Sequence, residues 1–148
     1  MYNVLVRLVA NKALAEELLQ DAFVKAFTRI DQYDGKYSFG AWLKRIVINT
    51  GISELRKRKT DFVAFDPIKH DIAEEAEEIP GLKPEHLQRA IQNLPDGTRT
   101  VFTLYQVEGY KHREIAELLN VSESASKVQY MRARTQLRES LKPEYYAG

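Results

Sequence analysis

Apolar residues recur along this chain at spacings of three and four, the period of a helix, and no stretch shows the alternation expected of a strand. From roughly Lys12 to Asp31, the residues Leu14, Leu18, Ala22, Phe23, Ala26, Phe27 and Ile30 mark an amphipathic helix that Asp34-Gly35 breaks. A second helix is predicted from about Phe39 to Arg58. At about 100° per residue, Trp42, Leu43, Ile46, Val47 and Thr50 share one face, while Ile48, Ile52 and Leu55 form a second apolar strip. Arg45, Asn49 and Arg56 fall on a narrow polar stripe between the two. A helix that is apolar on two sides is wedged in a bundle, so its polar stripe is what remains for a partner.

Periodicity fades after Lys59. Prolines at 67, 80 and 84, with Gly81 and a run of acids, predict an extended, flexible linker. Helical pattern resumes at Glu85 (Leu87, Ile91, Leu94) and is punctuated by Pro95-Asp96-Gly97. Val101, Phe102, Leu104 and Tyr105 then predict a third helix packed on the C-terminal part of the chain. The expected fold is all-α: two small helical domains, residues 1–60 and 85–148, on a flexible acidic tether over 61–84.

Residues Tyr110 to Arg134 carry the pattern of a helix-turn-helix. Its first helix should reach about Leu119, Asn120-Val121-Ser122 should make the turn, and a second helix should begin after Ser122. Ala116 stands where two helices approach closely. Asn120 tolerates the left-handed conformation that the turn requires. Ser122 is a good N-cap for a helix whose first turn could enter a DNA major groove. In that helix Ser126, Tyr130, Ala133 and Leu137 share the face expected to pack inward. Ser124, Lys127, Val128, Met131, Arg132 and Thr135 lie opposite. Lys127 and Arg132 can reach base edges or phosphates, and Val128 and Met131 could either touch thymine methyls or cover a neighbouring helix. Arg134 and Arg138 suit phosphate or solvent.

Charge sharpens this picture by its distribution. The formal net charge is only +1, but Trp42 to Lys59 carries six bases against one acid, Asp61 to Pro80 seven acids against one base, and Lys111 to Lys142 seven bases against four acids. Two basic blocks flanking an acidic connector suit a polyanionic partner. The 148 residues suffice for one ordinary domain or two small helical ones, and the absence of cysteine rules out disulfides and cysteine-ligated zinc. No signal peptide or apolar run of spanning length is visible, which predicts a soluble, cytoplasmic protein.

Catalytic chemistry is not expected. His70, His86 and His112 are scattered without metal-ligand spacing, and there is no glycine-rich phosphate loop. Glu74-Glu75 and Glu77-Glu78 read as a solvated acidic run rather than a cation site. The chain is therefore expected to bind, with no metal, no cofactor and no enzymatic activity. Between the first two long helices, Tyr33-Asp34-Gly35-Lys36-Tyr37-Ser38-Phe39 places rings and a cation ahead of the basic stripe. Such aromatic platforms beside Lys or Arg are what unstacked single-stranded bases need. Trp42 is better read as core, whereas Tyr37 suits either a base platform or simple packing.

Two blocks carry a family likeness. Ala15-Glu16-Glu17-Leu18-Leu19-Gln20-Asp21-Ala22-Phe23, followed by Ser38-Phe39-Gly40-Ala41-Trp42-Leu43-Lys44-Arg45-Ile46-Val47-Ile48-Asn49, resembles region 2 of extracytoplasmic-function (group 4) sigma factors of the sigma-70 family. Leu94-Pro95, Val101-Phe102-Thr103-Leu104, Glu114-Ile115-Ala116 and Arg132-Ala133-Arg134 resemble their region 4. The wording from Phe39 to Asn49 is especially like versions from Bacteroidetes-type bacteria. The likeness covers nearly the whole chain outside the linker.

The resemblance implies a factor that directs core RNA polymerase to promoters. Region 2 would bind the clamp helices of the polymerase through Leu19, Gln20, Asp21 and Phe23. The loop containing Lys36 and Tyr37 would capture a flipped base of the −10 element, and Arg45, Asn49 and Arg56 would hold its strand. Region 4 would bind the flap of the β subunit, with Ser124, Lys127, Val128, Met131 and Arg132 in the major groove of the −35 element. The acidic linker would thread toward the polymerase RNA channel. Partners implied are the polymerase core (β and β′ subunits), promoter DNA and an anti-sigma factor, with no small-molecule substrate. Two other readings stay open: a stand-alone helix-turn-helix regulator, and a sigma-like decoy that sequesters an anti-sigma factor.

Two departures matter. The chain begins inside the family's first domain, about one helix short, which predicts that Val4, Leu5, Leu8 and Val9 are left uncovered. It also has Ser124-Ala125 where relatives commonly carry Gly-Thr, so the phosphate contact of that threonine is not expected here.

Overall fold

The computed structural model of the protein describes residues 1–58 and 83–147, with side chains as far as Lys142. The expected acidic linker lies almost wholly outside the described residues. Among those residues every regular element is helical, and the chain divides into two compact units, Met1–Thr60 and Asp61–Gly148.

The first unit is three helices, each packed on the other two: α1 (Tyr2–Val9), α2 (Lys12–Thr28) and α3 (Phe39–Lys57). Helix α1 ends on Ala10 in the left-handed conformation, and Asn11 immediately caps α2 by accepting from the Leu14 amide at 3.0 Å. Val4, Leu5, Leu8 and Val9 are all buried, so the expectation that they would be uncovered is overturned. Helices α2 and α3 close over them, helped by Gly51, whose missing side chain leaves room for Leu5 and Leu8. At the far end the Arg58 guanidinium donates to Val9 O at 3.3 Å, tying the end of α3 to the end of α1.

Helix α2 departs from its expected orientation. Its buried line is Ala15, Leu18, Ala22 and Ala26, while Phe23, Val24 and Phe27 are exposed, as is Ile30 in the 3-10 turn Ile30–Gln32 at its end. Three alanines on the inner face let the helix axes approach closely, and this fixes the rotation of α2. The large side chains, one residue further round, are thereby turned outward. In α3 the two-sided burial is as expected: Val47, Ile48, Ile52 and Leu55 are core, and Arg45, Asn49 and Arg56 are exposed.

The second unit contains α4 (Pro84–Gln92), α5 (Asp96–Phe102), α6 (His112–Leu119) and α7 (Glu123–Ala147). Pro84 sits at the start of α4, where its lost N–H has no intrahelical acceptor anyway. Arg99 is 2% exposed and staples the α4–α5 turn, donating to Leu94 O at 2.8 Å and pairing with the Asp96 carboxylate. Past Phe102 the helix widens into a π-helical turn, Thr103–Val107, and Gly109 at φ +76° reverses the chain into α6. Helix α7 packs against α4, α5 and α6, and Ala133, Leu137 and Leu141 join Ala90, Ile91, Leu94 and Phe102 in its core. The buried Thr98 hydroxyl donates to Gln129 Oε1 at 2.9 Å, locking α5 to α7.

Candidate nucleic-acid interface

The helix-turn-helix is built as its sequence dictates. Asn120 takes φ 55° and ψ 49°, allowing Val121 N–H to reach back to Ala116 O at 3.0 Å. Ser122 Oγ accepts from the Ala125 amide at 3.0 Å, capping α7. At the head of α6, Glu114 Oε1 accepts from the Lys111 amide at 3.1 Å. Ser126, Ala133 and Leu137 face inward with Tyr130 half-buried, as expected.

The outer face of α7 needs one correction. Ser124 and Lys127 are exposed and Met131 and Arg132 are partly so, but Val128 is only 6% exposed and cannot lie on a DNA-facing surface. Its neighbour Gln129 is also buried, on Thr98. Because α7 is gripped by α5 and α6 from different directions, its buried arc is wider than one helix face and takes in Ala125, Val128 and Gln129. What remains outside is the set Ser124, Lys127 and Thr135 with the partly covered Met131 and Arg132. Lys127 is held lightly by Glu123 at 3.6 Å, an exposed pair that an incoming phosphate can displace at little cost.

Beneath this surface lies an aromatic cluster that the sequence did not disclose. The His112 ring stacks on Tyr105 (centroids 4.1 Å apart) and abuts Tyr130 at 5.8 Å, while its Nδ1 lies 2.8 Å from Ser126 Oγ. Tyr130 Oη donates to Gln106 Oε1 at 2.6 Å. Burial, then the nearby Lys127 ammonium, lowers the His112 pKa below the usual imidazole value, and Glu123 partly opposes them. Burial raises that of Tyr130. No periodicity could have joined His112 to Ser126, fourteen residues away.

In the first unit, the segment from Tyr33 to Phe39 is a structured turn. Asp34 Oδ1 accepts from Lys36 N at 2.9 Å, Gly35 takes φ +75°, and Tyr33 Oη donates to Tyr37 O at 2.6 Å. Tyr33, Phe39 and Trp42 form a triangle with centroids 5.4–5.7 Å apart, so Trp42 anchors the turn while remaining half-buried, outside the buried core where its sequence reading put it. Tyr37 is left 65% exposed with Lys36 Nζ 5.8 Å from its ring centre. The exposed Arg45, Asn49 and Arg56 lie further along on α3. Elsewhere in this unit, Gln20 and Asp21 are exposed, Leu19 is half-buried and Phe23 stands at the margin of an apolar strip continued by Val24 and Phe27. Among the described residues, no group of three or more His, Asp or Glu is placed to hold a metal, and no helix is long and apolar enough to cross a membrane.

Comparison with known proteins gives two family matches: residues 1–60 match Sigma-70 region 2, and residues 85–137 match Sigma-70, region 4. The ECF RNA polymerase sigma factor SigW of Bacillus subtilis is 30% identical, the match covering 96% of this chain and 83% of that protein. SigM of the same organism is also 30% identical, with 93% and 86% covered. Among solved structures, the sigma factor RpoE in complex with the anti-sigma factor NepR from Bartonella quintana superposes with a TM-score of 0.65 at 25% identity, covering 95% of this chain and 89% of that one.

Proposed function

Since this chain belongs to the sigma-70 family as an extracytoplasmic-function RNA polymerase sigma factor, we propose that its two units grip a promoter at two points. The observation that carries this reading is the pairing of two differently built surfaces on one chain. One unit offers an exposed ring, Tyr37, beside Lys36 and a basic stripe, which suits unstacked single-stranded DNA. The other offers a capped helix start with Lys127 and Arg132, which suits the major groove of a duplex.

In this account Lys36 and Tyr37 take a flipped base of the −10 element, and Arg45, Asn49 and Arg56 hold its strand. Ser124, Lys127, Met131 and Arg132 meet the −35 element, without Val128. Leu19, Gln20, Asp21 and Phe23 meet the polymerase clamp, and the exposed strip through Phe27 extends that surface. The chain acts in the cytoplasm with core polymerase, carries out no chemistry of its own, and is held by an anti-sigma factor that competes for the same apolar strip. A sigma factor solved with an anti-sigma factor supports that last partner.

Run-off transcription with core polymerase, with and without this protein, tests the reading. Initiation at a specific start site is expected only with the protein present. A stand-alone regulator would instead bind duplex tightly without polymerase, and a decoy would bind an anti-sigma factor without supporting initiation. Lys127→Ala or Arg132→Ala should weaken −35-dependent initiation, each base-edge contact being worth about 1–3 kcal/mol. Unchanged −10 discrimination in Asn49→Ala would remove the assignment of that stripe.

A further inference from the structure

The helix-turn-helix fixes a histidine that the two-point grip does not use. His112 opens α6, and its ring is held on three sides: stacked on Tyr105 at a 14° tilt, edge-on to Tyr130, and with Nδ1 2.8 Å from Ser126 Oγ. Ser126 is completely buried and immediately precedes Lys127, so the ring lies where α6 meets the outward end of α7.

The charged groups around it come from two elements. Helix α7 supplies Lys127 and Glu123, which pair with each other at 3.6 Å, and beyond the Tyr130 ring the Arg134 guanidinium, 5.8 Å from that ring's centre. Beside it in sequence at the head of α6 stand the exposed Lys111, Arg113 and Glu114, with a Glu114 carboxylate oxygen occupied by the Lys111 amide. Tyr105, from the π-helical turn, and Tyr130 complete the titratable neighbours.

We propose that His112 is a proton-linked positioning residue for the upstream duplex: phosphates docking at Ser124 and Lys127 draw a proton from solvent onto the imidazole, and duplex binding tightens as pH falls. This rests on the −35 reading of α7. In the unbound protein, burial and then the Lys127 ammonium disfavour the charged ring, with Glu123 partly opposing them. A phosphate strand reverses the balance, because it neutralises Lys127 and adds negative charge beside the ring.

The ring has no need to move when it charges, since a tyrosine face accepts imidazole and imidazolium alike. The Ser126 bond survives by reversing. With the neutral ring's proton on Nε2, the hydroxyl donates to Nδ1; in the cation, Nδ1–H donates to the hydroxyl oxygen. His112 thus keys α7 to α6 in both charge states, and only its charge responds to the DNA.

The test is an NMR titration of the His112 ring in the full chain, with and without random-sequence duplex DNA at low salt, the signal being assigned by its loss in His112→Gln. Addition of duplex should move the His112 titration to higher pH. Duplex affinity should then rise several-fold from about pH 7.5 to about pH 6, within the limit of about tenfold per pH unit that one linked proton allows. His112→Gln can still bond the Ser126 hydroxyl but cannot take up a proton, so it should flatten this slope. A merely structural histidine would leave the slope unchanged on substitution. The proposal is overturned if duplex shifts the α7 amides while the His112 titration stays where it was. If saturating duplex shifts no amide near Lys127 at any pH, no phosphate docks beside the ring and this inference falls, whereas the −35 reading itself fails only if Lys127→Ala leaves run-off initiation unchanged.

Discussion

The two units of this sigma factor distribute polar and apolar side chains in opposite ways. Among the described residues, seven of the nine exposed large hydrophobics, including Phe23, Phe27, Tyr37 and Phe39, belong to the first unit. Six of the seven buried polar or charged residues, including Thr98, Arg99, Ser126 and Gln129, belong to the second. A core needs neither arrangement. Phe39 still packs on Tyr33 and Trp42, but Phe23 and Phe27 lie outside the core, where exposed rings cost solubility and add little to folding, so they are kept for a partner. Thr98 bonded to Gln129, and Ser126 within hydrogen-bond reach of the His112 ring, tie α7 to α5 and α6 at fixed geometry, and such buried bonds hold a helix at one angle rather than adding much net stability. The first unit is therefore built to be covered and the second to hold α7 still.

The largest effect should come from breaking the second unit's buried staple. Arg99→Ala would leave Leu94 O and the Asp96 carboxylate without their guanidinium and should destabilise that unit by about 3 kcal/mol in urea melts, with little effect on the first. Overpacking the first unit should cost somewhat less. A Cβ at Gly51 would lie 3.0 Å from both Leu5 Cδ2 and Leu8 Cδ1, and the extra methyls of Gly51→Val should cost about 2 kcal/mol, read as an earlier urea midpoint.

These two sites also show how far the sequence could be read. Helix positions, the Asn120 turn and the Ser122 cap were legible because each depends on residues within one or two turns of itself. The polar stripe of α3 was legible for the same reason. What escaped was tertiary. Thr98 meets Gln129 thirty-one residues away, and the width of the α7 buried arc, which removed Val128 from the DNA surface, depends on how many helices surround it. The rotation of α2 escaped because alanine and phenylalanine both score as apolar, while only the small residue permits close helix approach.

Smaller effects should separate partner surfaces from core. Tyr37→Ala should leave urea stability within about 0.5 kcal/mol of the parent. It should nonetheless weaken binding of a −10 single strand in holoenzyme by about 1–3 kcal/mol, the range for one base stacked on an aromatic ring. Unchanged strand affinity would return Tyr37 to packing.

The smallest expected effect is on pH. The folded-state pKa of His112 is lowered from the imidazole value of 6.5, so the unfolded chain takes up a proton first as pH falls. The stability that this group contributes is present above about pH 6.5 and is lost as pH drops below it toward the folded value. The urea midpoint of the second unit should fall over that interval, and less so in His112→Gln.

The opposition between the units is tested most directly by the affinity of the full chain for core polymerase with Phe27, 74% exposed, changed to Ser, alongside its urea melt. Loss of one buried phenylalanine at an interface should weaken core binding by about 2 kcal/mol, or roughly thirtyfold, while the melt of the first unit stays within about 0.5 kcal/mol of the parent. Unchanged polymerase affinity, or a melt that shifts as far as the affinity does, would contradict the claim that this unit keeps Phe23 and Phe27 outside for the polymerase.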